Sequence, residues 1–335
     1  MEISAYIQSL ITKAQPLNKT IVLPEGEDER VLLAAHETVE RGIANIIILG
    51  NEDEIKQYFT KQNWSLNRIQ IIDPKTSPNL SKYATMLYEM RKDKGMTEEE
   101  ANKTALNANY FGTLMIKAGD ADGMVSGANH STADTVRPAL QIIKSSRKDR
   151  GVSSVFIART QDGKIYYLSD CALNINPNAK ELAGIALGTA ETALQFGDEA
   201  RVAMLSYSTY GSGKGESVDK VKEATTLAKE ALATEEYKDK NISLDGELQA
   251  DAALDSVVAQ KKAPQSTVAG SANVLIFPNI DAGNIGYKLL QRLGGAEMYG
   301  PLLQGLNAPI NDLSRGCFAE DIVGAITITV LQTQK

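Results

Sequence analysis

The sequence predicts an α/β protein of two domains built on mostly parallel sheets, and three observations carry that prediction. The chain is 335 residues long, enough for two packed domains, each with its own core. Short apolar runs rich in β-branched residues recur along it with amphipathic stretches between most of them, the alternation that accompanies parallel strands and crossover helices. With 43% hydrophobic and 23% charged residues and no low-complexity run, the composition is that of an ordinary globular protein, so disorder is not expected.

Taken in order, the opening "MEISAYIQSLITKAQ" sets Ile3, Tyr6, Ile7, Leu10 and Ile11 at helical spacing and carries Glu2 where an export signal would carry basic charge, so it reads as a helix of the mature protein. The strand-like runs are "TIVLPE", "NIIILG", "IQIID", "DGMVSG", "SSVFIA", "KIYYLS", "VAMLSY", "NISLDG" and "ANVLIFP". Helical patterns include "EDERVLLAAHETVERG", "ADTVRPALQII", "TLAKEALATEEY" and "DAGNIGYKLLQRLGG", the last closed by a Gly pair that ends helices. A polar, basic stretch, "KSSRKDRGVSS" at 144–154, marks a boundary. The final "FAEDIVGAITITVLQ" spaces Ile322, Val323, Ile326 and Val330 as a helix that folds back onto the first domain. The expected domains are therefore 1–148 with 304–335, and 149–303. That places the stretch "NAPINDLSRGCFAEDIVGAI" at the junction of the halves, a preferred location for small-molecule sites.

A net charge of −7 and a pI near 5.1 argue against nucleic acid, whose phosphates demand a basic surface. No apolar run approaches the roughly 18 to 20 residues of a membrane span, so no membrane association is expected. Two cysteines without paired spacing point to a reducing cytoplasm and core thiols.

Three arginines stand in suggestive settings: Arg91 in "MLYEMRKDKGMTEEE", Arg137 in "VSGANHSTADTVRP" and Arg315 in "NDLSRGCFAED". A guanidinium matches two oxygens of a phosphate and keeps its charge when partly desolvated; taken alone, each reads more readily as a solvated surface charge or an ion pair with neighbouring Glu and Asp. The second setting follows a strand and offers Ser126, Gly127, Ser131 and Thr132 ahead of a helix, where hydroxyls and backbone N–H groups hold an anion or where Ser131 or Thr132 simply caps the helix. The Gly-rich "STYGSGKGES" fails as a phosphate-binding P-loop, with Ser208 and Gly215 at positions that require Gly and Ser or Thr, and no GxGxxG opens the first βα unit. His36 and His130 are the only histidines, a poor supply for a metal site or a catalytic triad, although His130 sits beside Ser131. The acids of "DGELQADAALD" suit a strand end and a helix start as well as a cation, and no metal is assigned.

The blocks "LYEMRKDKGMT", "DGMVSGANHSTADTVRPALQII", "DGELQADAAL", "FPNIDAGNIGYKLLQRLGGA" and "PINDLSRGCFAEDIV", together with PEGEDERV at 24–31, resemble phosphate acetyltransferases of the phosphate acetyl/butyryltransferase family, in the right order across the chain. The resemblance implies two three-layer α/β domains with a cleft between them, akin to isocitrate and isopropylmalate dehydrogenases, and a homodimer. It also implies reversible acetyl transfer between acetyl phosphate and coenzyme A, with CoA or acetyl-CoA, acetyl phosphate and inorganic phosphate as ligands. No cofactor is implied, and acetate kinase is the implied functional partner. By resemblance Asp321 is the base for the CoA thiol, Arg315 stabilises charge on acetyl phosphate, Ser314 is a supporting hydroxyl, Arg91 and Arg137 bind anionic groups, and Ser131 is the loop serine, with Thr132 beside it.

The chemistry agrees. A thiol of pKa near 8.5 is mostly protonated at neutral pH and needs a base, while charge developing on the acyl oxygen and the departing phosphate needs preformed donors. Two influences on Asp321 oppose each other: a nearby guanidinium lowers a carboxylate's pKa and burial raises it. Phosphate butyryltransferase chemistry, a metal- and NAD(P)-dependent dehydrogenase on the same architecture, and a noncatalytic ligand sensor are the alternatives.

Overall fold

The computed structural model describes residues 1, 3–147 and 150–334. Its strands are β1 (Thr20–Leu23), β2 (Asn45–Leu49), β3 (Ile69–Ile72), β4 (Gly123–Ser126), β5 (Ser153–Arg159), β6 (Ile165–Ser169), β7 (Ala200–Leu205), β8 (Ile242–Leu248), β9 (Val274–Ile276), β10 (Glu297–Gln304) and β11 (Ile310–Asp312). The chain divides into two compact units, Met1–Lys144 with Leu306–Lys335, and Ser145–Gly305. The boundary expected at 148/149 lies outside the described residues.

In the first unit the sheet runs β11-β4-β1-β2-β3, every pair parallel. Its strands read as unbroken apolar runs because both faces are covered. On one face Val22, Ile47, Leu49, Met124 and Ile310 pack with Tyr83, Leu87, Phe111 and Leu114 from helices Leu80–Arg91 and Ala108–Ala118. Tyr83 and Phe111 meet edge to face, ring centres 4.9 Å apart. The other face receives the last helix, Ala319–Gln332, which contacts β1, β4 and the helices Ala5–Ala14 and Glu29–Glu40. That helix stays helical despite its Thr and Val content because tertiary burial outweighs propensity: residues from Ile322 to Leu331 are all buried.

In the second unit the sheet runs β10-β5-β6-β9-β7-β8, parallel from β6 to β8, with β5 antiparallel to both β6 and β10. Phe156, Leu168, Leu205, Leu248 and Leu275 form its core, and Tyr287 stacks on Phe156 at 4.2 Å.

The apolar runs in the sequence account for nine strands and leave out β10 and β11. β10 carries Gly300-Pro301 at a register shift on a sheet edge, where a residue without an N–H is tolerated but the strand pattern is broken. β11 spans three residues, two of them polar, and lacks the length that makes a strand legible. Among the described residues no helix is long and apolar enough to cross a membrane.

Candidate active site

Chain order sets the location. The chain passes from β1 outward through β2 and β3, then returns to the other side of β1 with β4, so the carboxyl ends of β1 and β4 flank a topological switch point, where open α/β sheets bind ligands. β11 pairs with β4 in register, Asp312 opposite Ser126. Three loops, 24–28 after β1, 127–131 after β4 and 313–318 after β11, therefore leave the same end of the sheet side by side.

The loop after β4 is folded around a carboxylate. Glu25 is 1% exposed. Its Oε2 accepts N–H bonds from Gly127 and Ala128 at 3.0 and 2.9 Å, and its Oε1 accepts those of Asn129 and His130, each at 2.9 Å. His130 Nδ1 lies 2.8 Å from the same Oε1. Burial pushes the Glu25 carboxyl up, but these hydrogen bonds outweigh it and hold it below the usual range, while the Glu25 bond raises His130. The backbone N–H groups that the sequence offers to an anionic ligand are thus occupied by the protein's own carboxylate. Gly127 permits the turn: its φ is +110°, and a Cβ there would stand 2.4 Å from Asp312 Oδ1.

Arg30 ties this loop to the one after β11. Its Nη2 donates to the carbonyl of Ala128 at 2.8 Å, and its Nη1 donates to the carbonyls of Arg315 and Cys317, both at 2.9 Å. Asp28, the cap of helix Glu29–Glu40, orients it with bonds to Nε and Nη2 at 3.0 and 2.6 Å.

Ser314 and Arg315 sit on the exposed part of the 313–318 turn, which Cys317 N–H closes onto the Ser314 carbonyl at 2.9 Å. Among the described residues the Arg315 side chain has neither a hydrogen bond nor an ion pair. Asp321 occupies the first turn of the last helix, half-buried, where its Oδ2 accepts the Phe318 N–H at 2.8 Å. Its carboxyl is raised above the usual value by burial, which outweighs the Phe318 bond, with Glu320 adding to the rise. No guanidinium is among the groups that shift it, so the opposition expected between burial and an arginine is not what sets its direction. Cys317 beside it is pushed up to about 11, chiefly by burial, so it stays a neutral thiol near pH 7 and is a poor nucleophile.

Arg91 ends helix Leu80–Arg91 and Arg137 lies on helix Thr132–Pro138. Burial raises the Tyr110 phenol while Arg137 and Arg91 both pull it down, which puts the two guanidinium groups within electrostatic reach of one ring. Among the described residues neither makes an ion pair, although Arg137 acts on Asp134 at longer range, and Arg91 Nε is buried without an acceptor. An unmatched buried donor is costly unless a ligand supplies the acceptor.

The two hydroxyls of the 131–132 pair are engaged internally. Ser131 caps helix Thr132–Pro138 and donates to Asp134 at 2.7 Å; Thr132 donates to Asp312 at 2.6 Å. Asp312, at the end of β11, is 1% exposed and is pushed up to about 6 by burial. Sequence reasoning named Ser314, Arg315, Asp321, Ser131, Thr132, Arg91 and Arg137 but missed Glu25, Arg30, Asp312 and Tyr110. For Glu25 and Arg30 the available signal was a run of acids and an arginine directly after an apolar strand.

The family model for phosphate acetyl/butaryl transferase matches residues 5–330. The chain belongs to this family. A phosphate acetyltransferase of Thermoanaerobacterium thermosaccharolyticum is 50% identical over 334 residues, which cover 98% of this chain and 99% of that relative. A crystal structure of a phosphotransacetylase from Streptococcus pyogenes superposes with a TM-score of 0.92 at 47% identity, covering 99% of both chains. At 12% identity, 4-hydroxythreonine-4-phosphate dehydrogenase from Klebsiella pneumoniae shares the fold alone, with a TM-score of 0.55 over 95% of this chain and 99% of that one. The two-sheet α/β architecture is thus common to the phosphate acetyl/butaryl transferases and to a dehydrogenase.

Proposed function

We propose that the protein catalyses reversible acetyl transfer between acetyl phosphate and coenzyme A, as a phosphate acetyltransferase without metal or cofactor. The observation that carries this reading is the segment 314–321, where a guanidinium without an ion pair among the described residues and a half-buried carboxylate of raised pKa stand six residues apart, in a chain half identical to a phosphate acetyltransferase along its full length. Asp321 takes the proton of the CoA thiol. The thiolate attacks the acetyl carbon, the bond from that carbon to the phosphate oxygen breaks, and phosphate leaves. Arg315 stabilises the charge that grows on the acyl oxygen and passes to the leaving group, with Ser314 as a second donor. Phosphate is a competent leaving group, so attack is direct within a ternary complex. The test is phosphate-dependent release of free CoA thiol from acetyl-CoA by the purified protein without added metal; silence refutes the reading. Comparing acetyl, propionyl and butyryl phosphate fixes the acyl range.

Arg91 and Arg137 hold phosphate groups of the substrates, in keeping with the absence of an ion pair at either among the described residues. Replacing either with Gln is expected to raise KM for acetyl-CoA about tenfold or more, with a smaller change in kcat, since a charge-assisted contact contributes roughly 1.5 to 3 kcal/mol. Unchanged KM in both variants counts against that role.

The protein works as a homodimer in the cytoplasm. Helix Ile280–Arg292 supports the first point: Ile285, Leu289 and, just beyond its end, Leu293 form one exposed apolar stripe. Leu289→Lys is expected to shift size-exclusion elution from dimer to monomer; wild-type protein eluting as a monomer defeats the proposal. The two free, buried cysteines accord with a reducing compartment, which cell fractionation tests. Acetyl phosphate formed in this direction is what acetate kinase consumes, so that enzyme with ADP should pull acetyl-CoA breakdown forward.

A further inference from the structure

We propose that Glu25 and Arg30 are positioning residues which lock the two loops of the active site to each other, so that the catalytic groups are held in register before substrate arrives. The role rests on the acetyltransferase reading above. Both residues come from the PEGEDER segment directly after β1, and neither the thiol chemistry nor the phosphate binding described above uses them.

The two grip the loops by backbone atoms of opposite kind. Glu25 collects the four N–H groups of residues 127–130, and Arg30 takes a carbonyl from within that run, that of Ala128. From the same guanidinium, bonds go to the carbonyls of Arg315 and Cys317, one on the residue assigned above to the leaving phosphate and one a single residue before the N-cap of Asp321's helix. Loop 127–130 leads into Ser131 and the helix that carries Arg137. A shift of Arg30 therefore moves Arg315 and the start of the last helix relative to the anion-binding helix. Asp28 fixes Arg30 in turn through two bonds. A misplacement of about 1 Å in a reacting group costs up to roughly 100-fold in rate, so a brace of this kind bears on turnover more than on substrate affinity.

The decisive variants are Arg30→Lys and Glu25→Gln. An ammonium cannot span three carbonyls and a carboxylate as a planar fork does, and an amide turns one of the two acceptor oxygens into a donor facing N–H groups. Arg30→Lys is expected to lower kcat for phosphate-dependent CoA release by about tenfold or more, with KM for acetyl-CoA and phosphate within about threefold of wild type and calorimetric CoA binding retained. The double variant is expected to lose less than the product of the single losses, because both residues act on loop 127–130. A rise in KM at unchanged kcat overturns the proposal, since it makes Arg30 a substrate contact. So does full activity in an Arg30→Lys protein that still unfolds cooperatively. If Glu25→Gln fails to fold, Arg30→Lys carries the test through its split between kcat and KM. An inactive wild-type protein refutes the acetyltransferase reading; an active wild type with an indifferent Arg30→Lys refutes the brace alone.

Discussion

Asp321→Asn is expected to lower kcat for phosphate-dependent CoA release by at least about 100-fold, the lower range of what a positioned general base contributes. The effect follows from the carboxylate's surroundings. Burial raises the Asp321 pKa and Glu320 adds to the rise, while the Phe318 N–H opposes both without cancelling them. A raised pKa makes the group a stronger base, and the catalytic form is the ionised one. Turnover should therefore climb as pH rises through that pKa, giving the wild-type profile an acidic limb that Asp321→Asn lacks. Stability has the opposite sign. An acid whose folded pKa lies above its unfolded value favours the native state below the unfolded value, and that contribution is lost as pH rises through the folded one. Above that folded pKa the ionised Asp321 thus costs stability, and there an amide, which still accepts the Phe318 N–H, should melt no lower than wild type. Lost turnover with an unchanged or raised thermal midpoint supports the base. An acidic limb that persists in the variant removes Asp321 from that role.

Much of this arrangement was legible in the sequence because its determinants are local. Apolar runs gave nine strands, and the helical spacing of Ile322, Val323, Ile326 and Val330 marked the last helix, which belongs to the first unit. What escaped is set by contacts across long separations. β11 exists because β4 offers it an edge in register, and nothing in its own three residues announces a strand. Glu25 and Arg30 stand in a segment whose spacing names no partner for either, yet their partners lie about a hundred and nearly three hundred residues away along the chain. The bond that the Thr132 hydroxyl makes depends on the same long-range fold. Sequence left capping and ligand binding open for both; in the structure the Ser131 hydroxyl donates to Asp134, three residues on, and the Thr132 hydroxyl to Asp312. The direction of the Asp321 shift was not legible in sequence for a similar reason: burial depends on the packed helix, and it is burial, with no arginine among the causes, that raises this carboxyl.

Arg315→Gln is expected to reduce kcat by about 100- to 1,000-fold, the loss seen when a preformed donor to a developing oxyanion is removed. Three features of the residue make the experiment clean. Its side chain is exposed and carries no bond among the described residues, so replacement breaks nothing in the folded protein, and the thermal midpoint should hold. Its backbone carbonyl, not its guanidinium, receives Arg30, so the loop keeps its anchor whatever side chain stands there. It also lies outside the first turn that holds Asp321, so the base keeps its Phe318 bond. A loss in kcat with intact folding and intact CoA binding then reports charge stabilisation at the reacting centre. Arg315→Lys separates charge from geometry: an ammonium restores the charge but not the two parallel donors of the fork, so its kcat should fall between those of Gln and wild type. Were both variants instead to raise KM for acetyl phosphate with kcat intact, Arg315 would bind ground state and transition state alike, and the stabilisation of the departing phosphate would have to come from Ser314 or from the arginines around Tyr110.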